Sequence, residues 1–150
     1  MSRLGEEEKR DRQMLELLNE TRVAMPGVQI LFAFLLVVPF SARFDAVTAF
    51  QRNVFFATLL LVTLSTACLI APTAAHRLLF HRGQREWIVE GGNRLLIAAL
   101  AFLALALVGA VVLVTDFLYD GAVVVLVPAA IAVVLFGLWF AGPIARRRAS

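Results

Sequence analysis

The stretch LLIAALAFLALALVGAVVLVT, residues 95–115, contains no charged side chain and decides the fold class of this chain. Three further uncharged stretches occupy residues 23–42, 54–75 and 121–145. An apolar helix needs about 20 residues to cross a hydrocarbon core of roughly 30 Å, because each residue adds about 1.5 Å of rise. Each stretch reaches that length. The sequence therefore predicts an all-α polytopic membrane protein with four transmembrane helices in a bundle.

The composition agrees with this class and divides the chain into three parts. Only 17% of the 150 residues are charged, whereas a soluble domain carries about 25%. The single cysteine, Cys68, lies inside the second stretch, so the chain forms no internal disulfide. We expect a charged N-terminal helix over residues 1–22, a transmembrane domain over 23–145 and a basic tail over 146–150.

The basic residues predict the orientation, because Lys and Arg near span ends are retained on the cytoplasmic side. Of the 14 basic residues, only Arg43 and Arg52 lie on one predicted side of the membrane. The others lie on the opposite side: Arg3, Lys9, Arg10, Arg12, Arg22, Arg77, Arg82, Arg85, Arg94, Arg146, Arg147 and Arg148. This asymmetry predicts a plasma-membrane protein with both termini in the cytoplasm. Attraction to anionic lipid explains the rest of the basic excess, and we expect no nucleic-acid partner.

The segment before the first span is predicted to form a short amphipathic helix on the cytoplasmic membrane surface. Acidic residues stand early in it, at Glu6, Glu7 and Glu8, and apolar residues follow at positions 14, 15, 17 and 18. Pro26-Gly27 is expected to form an elbow between this helix and the span, because proline removes a backbone donor. A simple membrane anchor and a docking helix for a soluble partner both remain open.

Polar residues gather at the predicted cytoplasmic ends of the first three spans, where a helical bundle would bring them to one headgroup layer. If the first helix continues through Pro26, then Arg22, Pro26 and Gln29 share one face. The candidate cluster is Glu20, Arg22, Gln29, His76, Arg77, Asn93 and Arg94. Two interpretations remain open: a site for an anionic lipid headgroup, or an ion-pair network around Glu20 that holds the bundle together.

The sequence lacks the residues that characterise several functional classes of protein. The central part of each span holds no Asp, Glu, Lys, Arg or His, whereas ion-coupled carriers normally place such a residue there. The sequence has no phosphate loop, nucleophile elbow or HExxH motif, and its two histidines lack the ligands of a zinc or haem site. We therefore expect no catalytic residues, no metal and no cofactor. The predicted role is structural or regulatory, with the lipid bilayer, anionic lipid and a second copy of the chain as candidate partners.

Five short runs invite comparison with known families. They are LLNETRVAMPGVQILFAFLL (residues 17–36), PF (39–40), QR (51–52), APTAAHR (71–77) and NR (93–94). Together they resemble a family of small bacterial four-span membrane proteins of unknown function, frequent in actinobacteria. The resemblance implies the same fold and topology. Some members carry a sodium:proton antiporter label. The alternative role for this chain is one subunit of an oligomeric transporter or channel, in which the polar residues Gln29, Thr63, Thr66 and Thr73 of the spans would line a path.

Overall fold

The computed structural model describes residues 3–41, 46–79 and 85–149. Side chains within these ranges are described except at residues 3–11, 14, 17, 76, 79, 85–90 and 147–149. The elements are α1 (Arg3–Val37), a short 3-10 helix (Val38–Phe40), α2 (Ala49–Leu79), α3 (Arg85–Leu118), α4 (Val123–Phe136), a π-helical turn (Gly137–Ala141) and α5 (Gly142–Ala149). All regular structure in the described residues is helical.

Within the described residues, four helical segments are long and apolar enough to cross a membrane. They are Leu18–Phe40, Ala49–Ala75, Gly91–Leu118 and Val123–Arg146. The prediction of an all-α polytopic membrane protein with four spans is thereby confirmed. The observed segments begin or end a few residues away from the predicted stretches, because helices continue into polar residues that a search for uncharged sequence leaves out.

Helices α2 and α3 run antiparallel at the centre of the fold. Gln51 Nε2, near the start of α2, donates a hydrogen bond to Asp116 Oδ2 near the end of α3, at 2.8 Å. Further along, Ser65 Oγ donates to the carbonyl oxygen of Ala99, also at 2.8 Å. Helix α1 packs against both central helices, and α4 packs chiefly against α3. Helix α3 therefore contacts each of the other spans.

The two ends of the bundle differ in what they carry. One end, here called the loop end, holds the 3-10 helix after α1, residues 46–48 before α2, and residues 119–122 between α3 and α4. The other, called the terminal end, holds the starts of α1 and α3 and the ends of α2 and α5. At the loop end Gly121 has a φ of 72°, a left-handed conformation that glycine adopts without a steric penalty. This permits the tight connection between α3 and α4.

Buried positions on α2 recur at alternating spacings of three and four residues. They are Phe55, Thr58, Val62, Ser65, Leu69 and Pro72. This heptad-like spacing is typical of helices that pack with a left-handed crossing of about 20°. One seam of α2 is therefore buried in the bundle, while exposed apolar residues such as Phe56, Leu60 and Leu64 face outward.

A close approach between α2 and α3 occurs at Gly109. A Cβ atom at this position would collide with Oγ1 of Thr58. Thr58 is only 1% exposed, and its hydroxyl donates to the carbonyl oxygen of Val54 at 2.8 Å. The separation of the two central helices therefore depends on the missing side chain of Gly109.

Helix α1 differs from the expected arrangement of a surface helix followed by an elbow. It runs without interruption from Arg3 to Val37, with Pro26 inside it. A single proline removes one backbone hydrogen bond, which a helix within a bundle tolerates. The amphipathic character predicted for residues 1–22 depends largely on side chains outside the described set. The same holds for the basic tail beyond Arg146.

We predict that Ser65→Ala lowers the free energy of unfolding by about 0.6 kcal/mol, the average for an interhelical hydrogen bond in a membrane protein. The control is Thr63→Ala, since the exposed Thr63 donates its hydroxyl only to Leu59 O of its own helix, at 2.8 Å. The measurement is equilibrium unfolding in mixed micelles. Equal losses in the two variants would contradict a stabilising role for the bond between Ser65 and Ala99.

Candidate functional site

A groove opens between α1 and α2 at the terminal end. Its volume is about 420 Å³. The lining residues are Leu18, Thr21, Arg22, Met25, Pro26 and Gln29 of α1 and Thr73 of α2. These seven residues are here called the arginine groove, because Arg22 is their only charged member.

The intervals between the lining residues of α1 explain how this groove forms. Its α1 residues recur at intervals of one, three and four positions, which places them along one face of a helix. Because α1 continues through Pro26, that face extends from Leu18 to Gln29, as expected for a continuous helix. The groove therefore follows about three turns of α1.

The arginine groove combines an apolar surface with a few polar groups. Arg22 and Gln29 are exposed, whereas Thr21 is 3% exposed and has a bonding partner. The amide nitrogen of Gln29 lies 3.6 Å from the sulfur of Met25, and a thioether is only a weak acceptor. This amide therefore retains hydrogen-bonding capacity toward a ligand. An anionic group in the groove could accept paired hydrogen bonds from the guanidinium of Arg22. The amide of Gln29 offers a further donor along the same groove.

The structure brings two of the seven predicted site residues into this groove, Arg22 and Gln29. Four others are exposed at the terminal end outside its walls: Glu20, Arg77, Asn93 and Arg94. The side chain of His76 lies outside the described set. The predicted cluster did not include the two threonines of this groove, Thr21 and Thr73. Thr73 was predicted only as part of the path of the alternative transport role.

A second group of polar residues connects α2 and α3 at the loop end. The backbone nitrogen of Thr48 donates to Oε1 of Gln51 at 3.0 Å, and the backbone nitrogen of Gln51 donates to Oγ1 of Thr48 at 3.2 Å. This reciprocal pair is a capping box at the start of α2. The remaining donor group of Gln51 reaches Asp116 of α3. Thr48, Gln51 and Asp116 are here called the loop-end clasp.

The prediction from sequence did not include the loop-end clasp. The signal was present in Thr48-Ala49-Phe50-Gln51, since a threonine followed three residues later by glutamine, just before an apolar run, indicates a capping box. The contact with Asp116 has no such local signal, because the two residues are 65 positions apart. Among the described residues, no group of three or more His, Cys, Asp or Glu side chains is placed to bind a metal ion.

Four apolar helices, a polar groove at one end and a hydrogen-bonded clasp at the other define an all-helical multi-pass membrane protein. The chain belongs to the family described as Family of unknown function (DUF6328), which it matches over residues 5–143. No curated protein and no solved structure matches the chain. Because neither the fold nor the family supplies an activity, function has to be inferred from the chemistry of the sites.

Proposed function

We propose that this chain is a non-enzymatic structural or regulatory membrane protein that binds an anionic lipid headgroup in the arginine groove. The observation that carries this proposal is the exposed guanidinium of Arg22 in a groove whose other walls include Leu18, Met25 and Pro26. A phospholipid likewise combines a charged head group with apolar acyl chains, so its two parts match the charged and apolar parts of the groove.

The position of Arg22 in its span supports this assignment. It stands four residues after Leu18, where the first apolar segment begins, and therefore close to the depth of lipid headgroups. Guanidinium groups bind phosphate through paired hydrogen bonds. The apolar side chains beside it would contact the upper part of an acyl chain.

The charge distribution supports the inner leaflet of the plasma membrane as the location of this groove. Arg77 and Arg94 are exposed at the same end of the bundle as Arg22, and each basic residue near an anionic surface contributes about 1 kcal/mol of attraction. These two arginines would form a basic rim that raises the local concentration of anionic lipid. The proposed topology places both chain termini in the cytoplasm.

We predict that Arg22→Ala weakens retention of phosphatidylglycerol by about 10-fold to 100-fold, because a hydrogen bond to a charged group contributes about 1.5–3 kcal/mol. The measurement is native mass spectrometry of protein released from nanodiscs that contain equal amounts of phosphatidylglycerol and phosphatidylcholine. Arg22→Lys should lose less affinity, since it keeps the charge but not the paired hydrogen bonds.

The matched control is Arg52→Ala, which removes an exposed arginine at the loop end. It should leave retention of phosphatidylglycerol unchanged. An equal loss in Arg22→Ala and Arg52→Ala would contradict a specific site, because it would mean that overall charge alone controls lipid retention.

A transport or channel unit is the second candidate, and the exposure of Gln29 favours it. Gln29 and Thr73 line an open groove instead of a dry contact between helices. In contrast, the hydroxyls of Thr63 and Thr66 donate to carbonyl oxygens of their own helix. Since four spans leave little room for a pore, this role requires several copies of the chain. A defined oligomer without retained lipid would support transport, and a monomer with bound anionic lipid would support the first proposal.

A further inference from the structure

A separate cavity lies at the loop end, between the end of α1, the start of α2 and the end of α3. Its volume is about 520 Å³, which falls within the range of about 300–1,000 Å³ for small-molecule sites. Its walls include Leu35 of α1, Phe55 of α2, and Leu113 and Phe117 of α3. The cavity shares no lining residue with the arginine groove.

The spacing of the wall residues shows that this loop-end cavity is elongated along the helices. From α2 and the residues before it come Val47, Gln51 and Phe55, at intervals of four. From α3 come residues from Ala110 to Leu118, a distance of about 12 Å along a helix axis. The cavity is therefore a slot about two turns long, parallel to the direction of lipid tails.

The slot is apolar at its deeper end and polar toward the loops. Leu35 and Phe55, at the deeper end, are only 6% and 7% exposed. The polar wall residues are Ser41 and Gln51, and Gln51 is hydrogen-bonded to the carboxylate of Asp116. None of the described wall residues is basic. The carboxylate of Asp116, which accepts a hydrogen bond from Gln51, would repel an anionic head group at this end of the slot and attract a cationic one.

We propose that the loop-end cavity binds one single-chain amphiphile whose tail lies along the slot and whose head is cationic. The tail would occupy the apolar part of the slot, against Leu35, Phe55 and Leu113. The head would lie beside Gln51 and Asp116. This site has the opposite charge preference from the arginine groove, and the proposal does not depend on the function assigned to that groove.

The test uses two photoactivatable probes with the same diazirine-bearing hexadecyl chain, one ending in an amine and the other in a sulfonate. The full chain is held in phosphatidylcholine nanodiscs, labelled by irradiation, and mapped by peptide mass spectrometry. We expect saturable labelling by the amine probe at residues 47–55 and 110–118, with competition by unlabelled hexadecylamine. The sulfonate probe should label these segments about tenfold less, which corresponds to about 1.4 kcal/mol of repulsion.

Two substitutions fill the slot from different walls, Leu113→Trp from α3 and Val47→Trp from the segment before α2. The matched control is Leu138→Trp, because Leu138 is 70% exposed near the end of the fourth span and lines no part of the cavity. We expect each slot-filling variant to remove most of the saturable labelling and the control to retain it. Labelling that is not saturable, that is equal for both probes, or that persists in both slot-filling variants would overturn the proposal.

Discussion

Replacing Gly109 by alanine is expected to destabilise the protein by about 1–3 kcal/mol, the usual cost of adding a methyl group to a packed core. The new Cβ atom would collide with Oγ1 of Thr58 on the facing helix. Thr58 cannot easily move, because it is almost completely buried and its hydroxyl is bonded to the carbonyl oxygen of Val54. The expected result is a separation of α2 and α3 or a broken hydrogen bond.

The expected loss of stability is opposite in sign to the usual effect of replacing a helical glycine by alanine. In most helical positions a change from glycine to alanine stabilises a protein by about 0.5–1 kcal/mol, because alanine loses less backbone entropy on folding. Gly91 is the matched control on the same helix, since a Cβ atom there would meet nothing within 4 Å. Unfolding in nanodiscs, followed by the fluorescence of the two tryptophans, should therefore show opposite shifts for Gly109→Ala and Gly91→Ala.

A double-mutant cycle identifies the contact responsible. Thr58→Ala removes the atom that the new Cβ would strike, so the pair Thr58→Ala with Gly109→Ala should lose less stability than the two single changes together. The expected coupling is about 0.5–3 kcal/mol, as for residues in direct contact. Additive effects would show that Gly109 and Thr58 do not restrict each other.

Replacing Gln51 by alanine is the second change with a large expected effect, a loss of about 2 kcal/mol. The substitution removes one half of the capping box with Thr48, and such caps contribute about 1 kcal/mol. It also removes the hydrogen bond to Asp116, and hydrogen bonds to charged groups contribute about 1.5–3 kcal/mol when they are buried. We expect the lower part of this range because Asp116 is only half-buried.

Two further variants separate the contributions to the loop-end clasp. Thr48→Ala should lose about 1 kcal/mol, because it weakens the cap and retains the contact between Gln51 and Asp116. The control is Asn53→Ala, an exposed position in the same turn of α2, and it should change stability by less than about 0.5 kcal/mol. The measurement is again unfolding in nanodiscs. Similar losses for Gln51→Ala and Asn53→Ala would show that the loop-end clasp adds nothing to stability.

The candidate sites could be anticipated only where a local pattern existed. Arg22 and Gln29 were predicted to share a face, and the continuous helix α1 places both in the arginine groove. Their partner across the groove, Thr73, required knowledge of which face of α2 meets α1. The loop-end cavity had no sequence signal, because its walls come from three helices and almost all of its lining residues are ordinary apolar residues.

The sequence alone determined the fold class and the number of spans, since burial in lipid demands about 20 consecutive apolar residues for each helix. It also supplied the predicted orientation, through the positions of its arginines. Only the tertiary structure decided which faces of the spans are buried. In a soluble helix, a polar face marks the side that contacts water. In this protein, exposed Leu60 and buried Leu69 are the same residue type on the same helix, because lipid tails are as apolar as the interior. The pairing of Gly109 with Thr58, the contact between Gln51 and Asp116 and both cavities therefore follow from packing.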